Sequence, residues 1–477
     1  MKRALLALAL LAALCSGVRA AEPAWTDALS SEARQIVAKA AEDGLEPADY
    51  HALAPPEAMR RYLRDLHAGR VRAKALGFRV GTSTDEQIDA DLRSAVAAGQ
   101  LQPLVDRLTP PLAQYRQLRV ALTLYSALAA APTGPALPLV AKKLSPGDAY
   151  AGATALRERL IAFGDLAADA PPASGHYDDT LAAAVRRFQQ RHGLDDDGVI
   201  GRGTLAALNV PPAARVRQIE LAMERLRWLP HRSGRPFIAI NIPMFRLWAW
   251  DAGAAESSPA LGMGVIVGRA LRTQTPVFAD QMTHLIFRPY WNVPRSILRN
   301  EVLPAAERDA TYLARHDMEL VNGQGDDAKP VAATPEALEA ARAGALRVRQ
   351  RPGPKNSLGL AKFIFPNDDN VYLHGTPARE LFARSRRDFS HGCVRVEDPA
   401  ALAQWLLKDQ PAWTPERIAA AMNGAAPQRV DLGAPVPVIL YYVTAAVMPE
   451  DGRLHFADDL YRHDAALERA LKAPRRD

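Results

Sequence analysis

Two short runs, Val371-Tyr372-Leu373-His374-Gly375-Thr376-Pro377 and Ser390-His391-Gly392-Cys393-Val394-Arg395-Val396, decide how this 477-residue chain is read. The first is an apolar, β-branched strand pattern ending on a histidine, which would hold the imidazole on a rigid element. The second is a turn with a thiol in it. A free cysteine is only a few per cent thiolate at neutral pH, so a cysteine nucleophile needs a neighbouring base or a positive environment. His374 and His391 both lie within nineteen positions of Cys393, and each sits beside a glycine that lets backbone approach a substrate. Successive N–H groups of His391, Gly392 and Cys393 can face a carbonyl oxygen, as in an oxyanion hole. Arg395 is available for a carboxylate. Nucleophile, base, oxyanion site and anion clamp together make acyl transfer. Three other readings are weaker. They are an inert buried thiol, a zinc site from His374, His391 and Cys393 that lacks a second ligand pair, and papain-like proteolysis, whose cysteine precedes its histidine.

Working outward, short strands are expected at 237–242, 264–267, 284–287, 346–350, 361–365, 371–374 and 437–446, with helices at 378–384, 399–407 and 415–422. An Ala-rich helical stretch at 298–345 interrupts the strands. This is an α+β arrangement. Upstream, residues 22–145 carry helical apolar stripes that read as core. Residues 146–211 form a second small helical unit, and 212–234 a helical linker. The Asp195-Asp196-Asp197-Gly198 run lacks the spacing and terminal Glu of a calcium loop, so it is a turn.

Met1–Ala20 reads as a cleavable secretory signal. Lys2 and Arg3 precede the apolar run 4–15, which falls short of the ~20 residues that span a bilayer. Cleavage before Ala21 would remove Lys2, Arg3 and Arg19, taking the formal charge from +6 to +3, and would remove Cys15, leaving Cys393 as the lone thiol. With two cysteines in all, neither a disulfide scaffold nor a multi-thiolate zinc site is available. The sequence pI of 9.3 is a mild lean toward anionic partners and not a nucleic-acid footprint. A membrane partner is expected only through an uncleaved signal.

The motif pair His-Gly-Thr and Ser-His-Gly-Cys-x-Arg resembles the signature of the L,D-transpeptidase catalytic domain. The resemblance implies Cys393 as nucleophile and His374 as proton donor and acceptor, with Gly375 orienting His374 through its backbone. Backbone at His391, Gly392 and Cys393 would form the oxyanion hole. Arg395, Ser390, Tyr372 and Asn292 are the expected substrate-binding residues, and no metal or cofactor is required. Tyr177-Asp178, Ala184-Val185-x-x-Phe188-Gln189, His192-Gly193-Leu194, Asp197-Gly198-x-Ile200-Gly201 and Thr204-Leu205 resemble a peptidoglycan-binding helical module. Asp43-Gly44-Leu45-x-Pro47-x-Asp49-Tyr50 and Tyr62-Leu63-x-Asp65-Leu66-His67-x-Gly69-Arg70-Val71 look like the scaffold domain of the large Gram-negative members. Trp291-Asn292-Val293-Pro294-x-Ser296-Ile297 resembles the segment before their lid.

The expected organisation is a multidomain α+β chain: signal 1–20, helical scaffold 22–145, peptidoglycan-binding-like module 146–211, and linker 212–234. A mostly β catalytic domain follows at 235–446 with a helical lid insertion at 298–345, then an extension at 447–477. The implied activity is 3→3 crosslinking of peptidoglycan in the periplasm through a cysteine thioester. Tetrapeptide stems would donate the acyl group, and glycan would be bound. Rival readings are a carboxypeptidase, D-amino-acid exchange, lipoprotein attachment, or a non-catalytic wall-binding or scaffold protein with cell-wall synthesis partners.

Overall fold

The computed structural model describes residues 24–475, except 81–84, 133, 141, 231–233, 256–257 and 326. The expected signal, 1–20, lies outside the described residues. Among these residues, no helix is long and apolar enough to cross a membrane.

The chain divides into two packing units. The first contains the helices Asp27–Ala38, Pro55–Ala68, Asp85–Ala98 and Gln102–Leu108 around one core that includes Leu29, Ile36, Leu63, Leu66, Leu92 and Leu104. Thr26 caps its first helix by accepting the Leu29 N–H at 3.2 Å. Two buried phenols reach across the core. Tyr50 donates to Asp65 at 2.7 Å and Tyr62 donates to Asp43 at 3.2 Å, so the scaffold-like motif residues hold one another.

The second unit is Gly69–Thr82 with everything from Pro111 onward. The expected scaffold, 22–145, is therefore not one packing body. Phe78 is buried in the catalytic core, and the Arg79 N–H donates to Val277 O at 3.1 Å. The helix Ala113–Ala130 shares an apolar cluster with the helix Pro212–Leu226, through Tyr115, Leu118, Leu122, Ile219 and Met223. The expected helical linker, 212–234, contains the helix Pro212–Leu226, which is packed rather than exposed. Ile219 and the whole run from Leu221 to Leu226 are buried, with a Glu224–Arg227 ion pair at 2.7 Å. Helices Ala153–Ala162, Asp179–Arg191 and Arg202–Leu208 close a separate small core around Leu156, Val185, Phe188 and Leu205. There Asp197 accepts from Gln189 at 3.0 Å and from the Val199 N–H at 2.8 Å, which makes the Asp-rich run a braced turn.

The catalytic region contains strands β1 (Phe237–Asn241), β2 (Arg246–Trp250), β3 (Leu261–Gly268), β4 (Phe278–Phe287), β5 (Trp291–Asn292), β6 (Met318–Asn322), β7 (Lys329–Val331) and β8 (Arg347–Gln350). It continues with β9 (Ala361–Ile364), β10 (Leu373–His374), β11 (Asp388–Ser390), β12 (Val394–Val396) and β13 (Gln428–Tyr441). Nine of these form one sheet in the order β11-β3-β12-β10-β9-β4-β13-β1-β2, and a further β2–β3 pairing closes it on itself. The expected strand 437–446 is the end of β13 plus a short strand, β14 (Ala445–Val447), paired with β15 (Leu454–Phe456). The expected helix 378–384 is a 3-10 turn, Arg379–Ala383.

The insertion is mixed rather than helical. Strands β5, β8, β6 and β7 form a second, four-stranded sheet, so the element runs from β5 to β8. Its own core joins Leu298, Val302 and Leu303 to Leu320, Ala341 and Val348.

Candidate active site

Register places the site. β10 pairs β12 in parallel, Leu373 opposite Val394 and His374 opposite Arg395. β10 pairs β9 antiparallel, Leu373 opposite Phe363 and His374 opposite Lys362. Because side chains alternate across a strand, one face carries Leu373, Val394 and Phe363, all fully buried in the core. The other carries His374, Arg395 and Lys362, and the same alternation adds Tyr372 and Cys393 to it. The Val394 N–H donates to Tyr372 O at 3.2 Å, extending the ladder beneath these two. The sheet thus separates core from chemistry by parity.

His374 is buried, and its Nδ1 lies 2.5 Å from Gly375 O. A carbonyl can only accept, so Nδ1 carries the proton and Nε2 keeps its lone pair. Burial first, and then the Arg395 charge, push the imidazole down to about 3. It rests neutral. Cys393 is half-buried, with Sγ 3.8 Å from the carbonyl of Asn370, a residue at φ 54°. Burial pushes its thiol above the ordinary value of 9.0, with Tyr372, Lys362 and Arg395 opposing. The pair therefore rests as a neutral thiol and a neutral imidazole. The Tyr372 ring is 5.7 Å from the His374 ring, and the Lys362 ammonium lies 3.9 Å from the Tyr372 ring centroid. Burial and the neighbouring Cys393 raise the Tyr372 phenol. Arg395 is pulled down by burial and by Arg269, and its Nε is buried with no acceptor among the described residues. That unpaired donor suits an incoming anion.

The turn itself is braced from within. Ser390 is buried; its hydroxyl donates to Cys393 O at 2.6 Å and accepts the Gly392 N–H at 3.1 Å. Two expectations change as a result. Ser390 holds the turn rather than offering its hydroxyl to a substrate, and the Gly392 N–H faces inward instead of joining an oxyanion hole. Among the described residues the His391 and Cys393 N–H groups meet no acceptor. Gly392 sits at φ 113°, a conformation that suits glycine. Asn292 is on β5 in the insertion, where its Oδ1 accepts from Arg347 at 3.3 Å; no contact joins it to Cys393 or His374. The insertion meets the turn elsewhere. Glu301, in the π-helical turn Leu298–Val302, lies 2.7 Å from His391 Nε2.

Sequence reasoning passed over Lys362, Glu301 and Thr275. Only Lys362 left a signal, as a lone charge on a strand whose neighbours are apolar.

Comparison with known proteins finds the same three kinds of domain that the motifs resemble. Residues 235–438 match the family model described as "L,D-transpeptidase catalytic domain". These residues are thus similar to L,D-transpeptidase catalytic domains. Residues 151–208 match "Putative peptidoglycan binding domain" and 18–122 match "Scaffold domain". A curated Haemophilus influenzae protein named "Putative L,D-transpeptidase" is 34% identical over 258 residues, 53% of this chain and 49% of its own length. The chain thus spans about half of that relative. A crystal structure of an L,D-transpeptidase from Xylanimonas cellulosilytica aligns at 18% identity and TM-score 0.20, over 65% of this chain and 100% of that one. In this region the motif histidine ends β10 and the motif cysteine immediately precedes the adjacent β12.

Proposed function

We propose that the protein forms 3→3 crosslinks in peptidoglycan in the periplasm, through a thioester on Cys393. One observation carries the reading: the face shared by Cys393, His374 and Arg395, with the lone pair of His374 on Nε2. Sγ attacks the carbonyl of the third residue of a tetrapeptide stem, and its proton passes to Nε2. The C–N bond to the terminal D-Ala breaks, and Nε2 returns the proton to the leaving amine. A side-chain amine of a second stem then attacks the thioester, giving up a proton through Nε2 and restoring the thiol. Both thiol and imidazole begin neutral, so charge develops only along the reaction path, where Arg395 and the turn N–H groups offset it. Stem carboxylates are the natural partners of Arg395, and residues 151–208 would bind glycan or stem.

The test is mass spectrometry of muropeptides after incubating the protein with tetrapeptide-rich peptidoglycan, beside Cys393→Ala. New 3→3 dimers that vanish in the variant support the reading. Tripeptides without dimers would make the protein a carboxypeptidase. No Cys393-dependent product would leave only a wall-binding or scaffold role.

The insertion is proposed to favour an amine over water as acceptor by covering the site, its hold on the turn being the Glu301–His391 contact. Replacing residues 298–345 by a short loop should raise hydrolysis relative to transfer. An unchanged ratio would remove the idea.

A further inference from the structure

The Cys393 turn rests on a hydrogen-bond chain whose members come from far along the sequence. The Thr275 hydroxyl donates to Gly392 O at 2.8 Å and accepts the Gly268 N–H at 2.9 Å. The Tyr461 hydroxyl donates to Gly268 O at 2.6 Å and accepts the Thr275 N–H at 3.2 Å. Carbonyls only accept and amides only donate, so each hydroxyl proton has a single destination. Tyr461 is held in turn. Its N–H donates to the Tyr442 hydroxyl at 2.9 Å, and that hydroxyl donates to Asp459 at 2.8 Å. Thr275 is 1% exposed and Tyr461 5%, so water does not compete for these bonds. The space is closed as well: a Cβ on Gly268 would stand 1.9 Å from Thr273 O.

Gly392 O and the Cys393 N–H belong to one peptide group. That group is planar, so fixing its oxygen fixes the direction of its N–H. A donor on the oxygen also polarises the group and strengthens the N–H as a donor. We propose that Thr275, held in place by Tyr461, is a positioning residue that aims and polarises the Cys393 N–H toward the oxyanion of the tetrahedral intermediate. The inference rests on Cys393 being the nucleophile proposed above. It also gives residues beyond 446 a part in the chemistry.

Two reactions of one thiol separate this role from general support. Acylation by p-nitrophenyl acetate expels p-nitrophenolate, leaves an acetyl thioester and passes through an oxyanion. Alkylation by iodoacetamide displaces iodide and forms no oxyanion. Both rates are measured on the full chain as wild type, Thr275→Val, Thr275→Ser and Tyr461→Phe. Losing an oxyanion donor costs about 10²–10³ in rate, so misaiming one in Thr275→Val should slow acylation roughly tenfold to a hundredfold while alkylation stays within about twofold. Thr275→Ser should restore acylation to within about threefold, and Tyr461→Phe should slow it roughly threefold to tenfold, since the carbonyl contact survives with less constraint. Equal losses in both reactions, or unchanged acylation in Thr275→Val and Tyr461→Phe, overturn the proposal. If Thr275→Val does not fold, Tyr461→Phe, which keeps the ring, decides alone. A wild-type thiol that alkylates but never acylates sinks the nucleophile reading instead, and this inference with it.

Discussion

The turn Ser390–Arg395 and the insertion between β5 and β8 lie against one another through Glu301 and His391, yet they are built by opposite rules. In the turn, the carbonyls of Ser390, Gly392 and Cys393 are each bonded by a hydroxyl: Thr273 to Ser390 O, Thr275 to Gly392 O, and Ser390 to Cys393 O. Two of these donors sit more than a hundred positions away, in a stretch that packs under the turn. The insertion packs its own core from its own residues, and among the described residues its side-chain link to the turn is the half-exposed Glu301–His391 contact. An exposed contact of this kind is worth about 0–1 kcal/mol. The turn is thus a floor braced from below and the insertion a separately folded element joined to it by a weak contact; on the proposed function, the floor holds the reacting groups and the insertion covers them.

Changes to the floor should have the largest effects. Cys393→Ala should abolish turnover, a loss of at least about 10³-fold, because Cys393 is the only thiol among the described residues. His374→Gln should slow turnover about 10²–10⁴-fold, the range for removing a general acid–base group. Single-turnover acylation and steady-state product formation would measure both, and a loss under tenfold would break the floor's half of the comparison.

The pH dependence follows from burial. With the Cys393 thiol raised and His374 lowered, alkylation of the resting protein should still be climbing at pH 9. A plateau already reached by pH 6 would mean a preformed thiolate–imidazolium pair. Stability carries the same signature. His374 stays neutral in the fold down to about 3, whereas the unfolded chain takes up a proton below about 6.5. Stability is therefore lost as pH falls through that window, by up to about 1.4 kcal/mol per pH unit for this one group. Denaturant melts of His374→Asn should show a shallower slope there, and an unchanged slope would contradict the assignment.

For the insertion, Leu303→Ala should cost its core about 2–5 kcal/mol and raise the hydrolysis-to-transfer ratio, with Cys393 alkylation preserved. The smallest effect belongs to Glu301→Gln. Its stability change should stay under about 1 kcal/mol, and any functional change should appear in the same ratio. A large loss of Cys393 reactivity in either variant would show that the insertion supports the floor after all.

How much of this the sequence carried differs along the same divide. The motif pair was legible because its chemistry is local: thiol, imidazole, glycines and arginine lie within a span of 22 residues, His374–Arg395. Strands rich in Val and Ile, such as β1 and β3, announced themselves. β2 did not, because Arg246-Leu247-Trp248-Ala249-Trp250 is buried on both faces and shows no alternation. The strands of the insertion were hidden by the Ala-rich helices around them, since composition averaged over 298–345 reads as helix. Thr275 and Tyr461 had no local signature at all. A threonine after a glutamine and a tyrosine in a C-terminal stretch become supports only when the loop after β3 and the segment after β15 come together under Gly392. Ser390 misled for the converse reason. Beside a nucleophile a hydroxyl reads as a substrate contact, and only the fold reveals that both of its hydrogen-bonding roles are taken.

The most direct measurement of the central claim is the intact mass of the protein after brief mixing with a tetrapeptide stem. The expected product is an adduct equal to the donor less its terminal D-Ala, located on Cys393, absent in Cys393→Ala, and discharged when an amine acceptor is added. An unmodified protein that still releases D-Ala, or an adduct on any other residue, would contradict it.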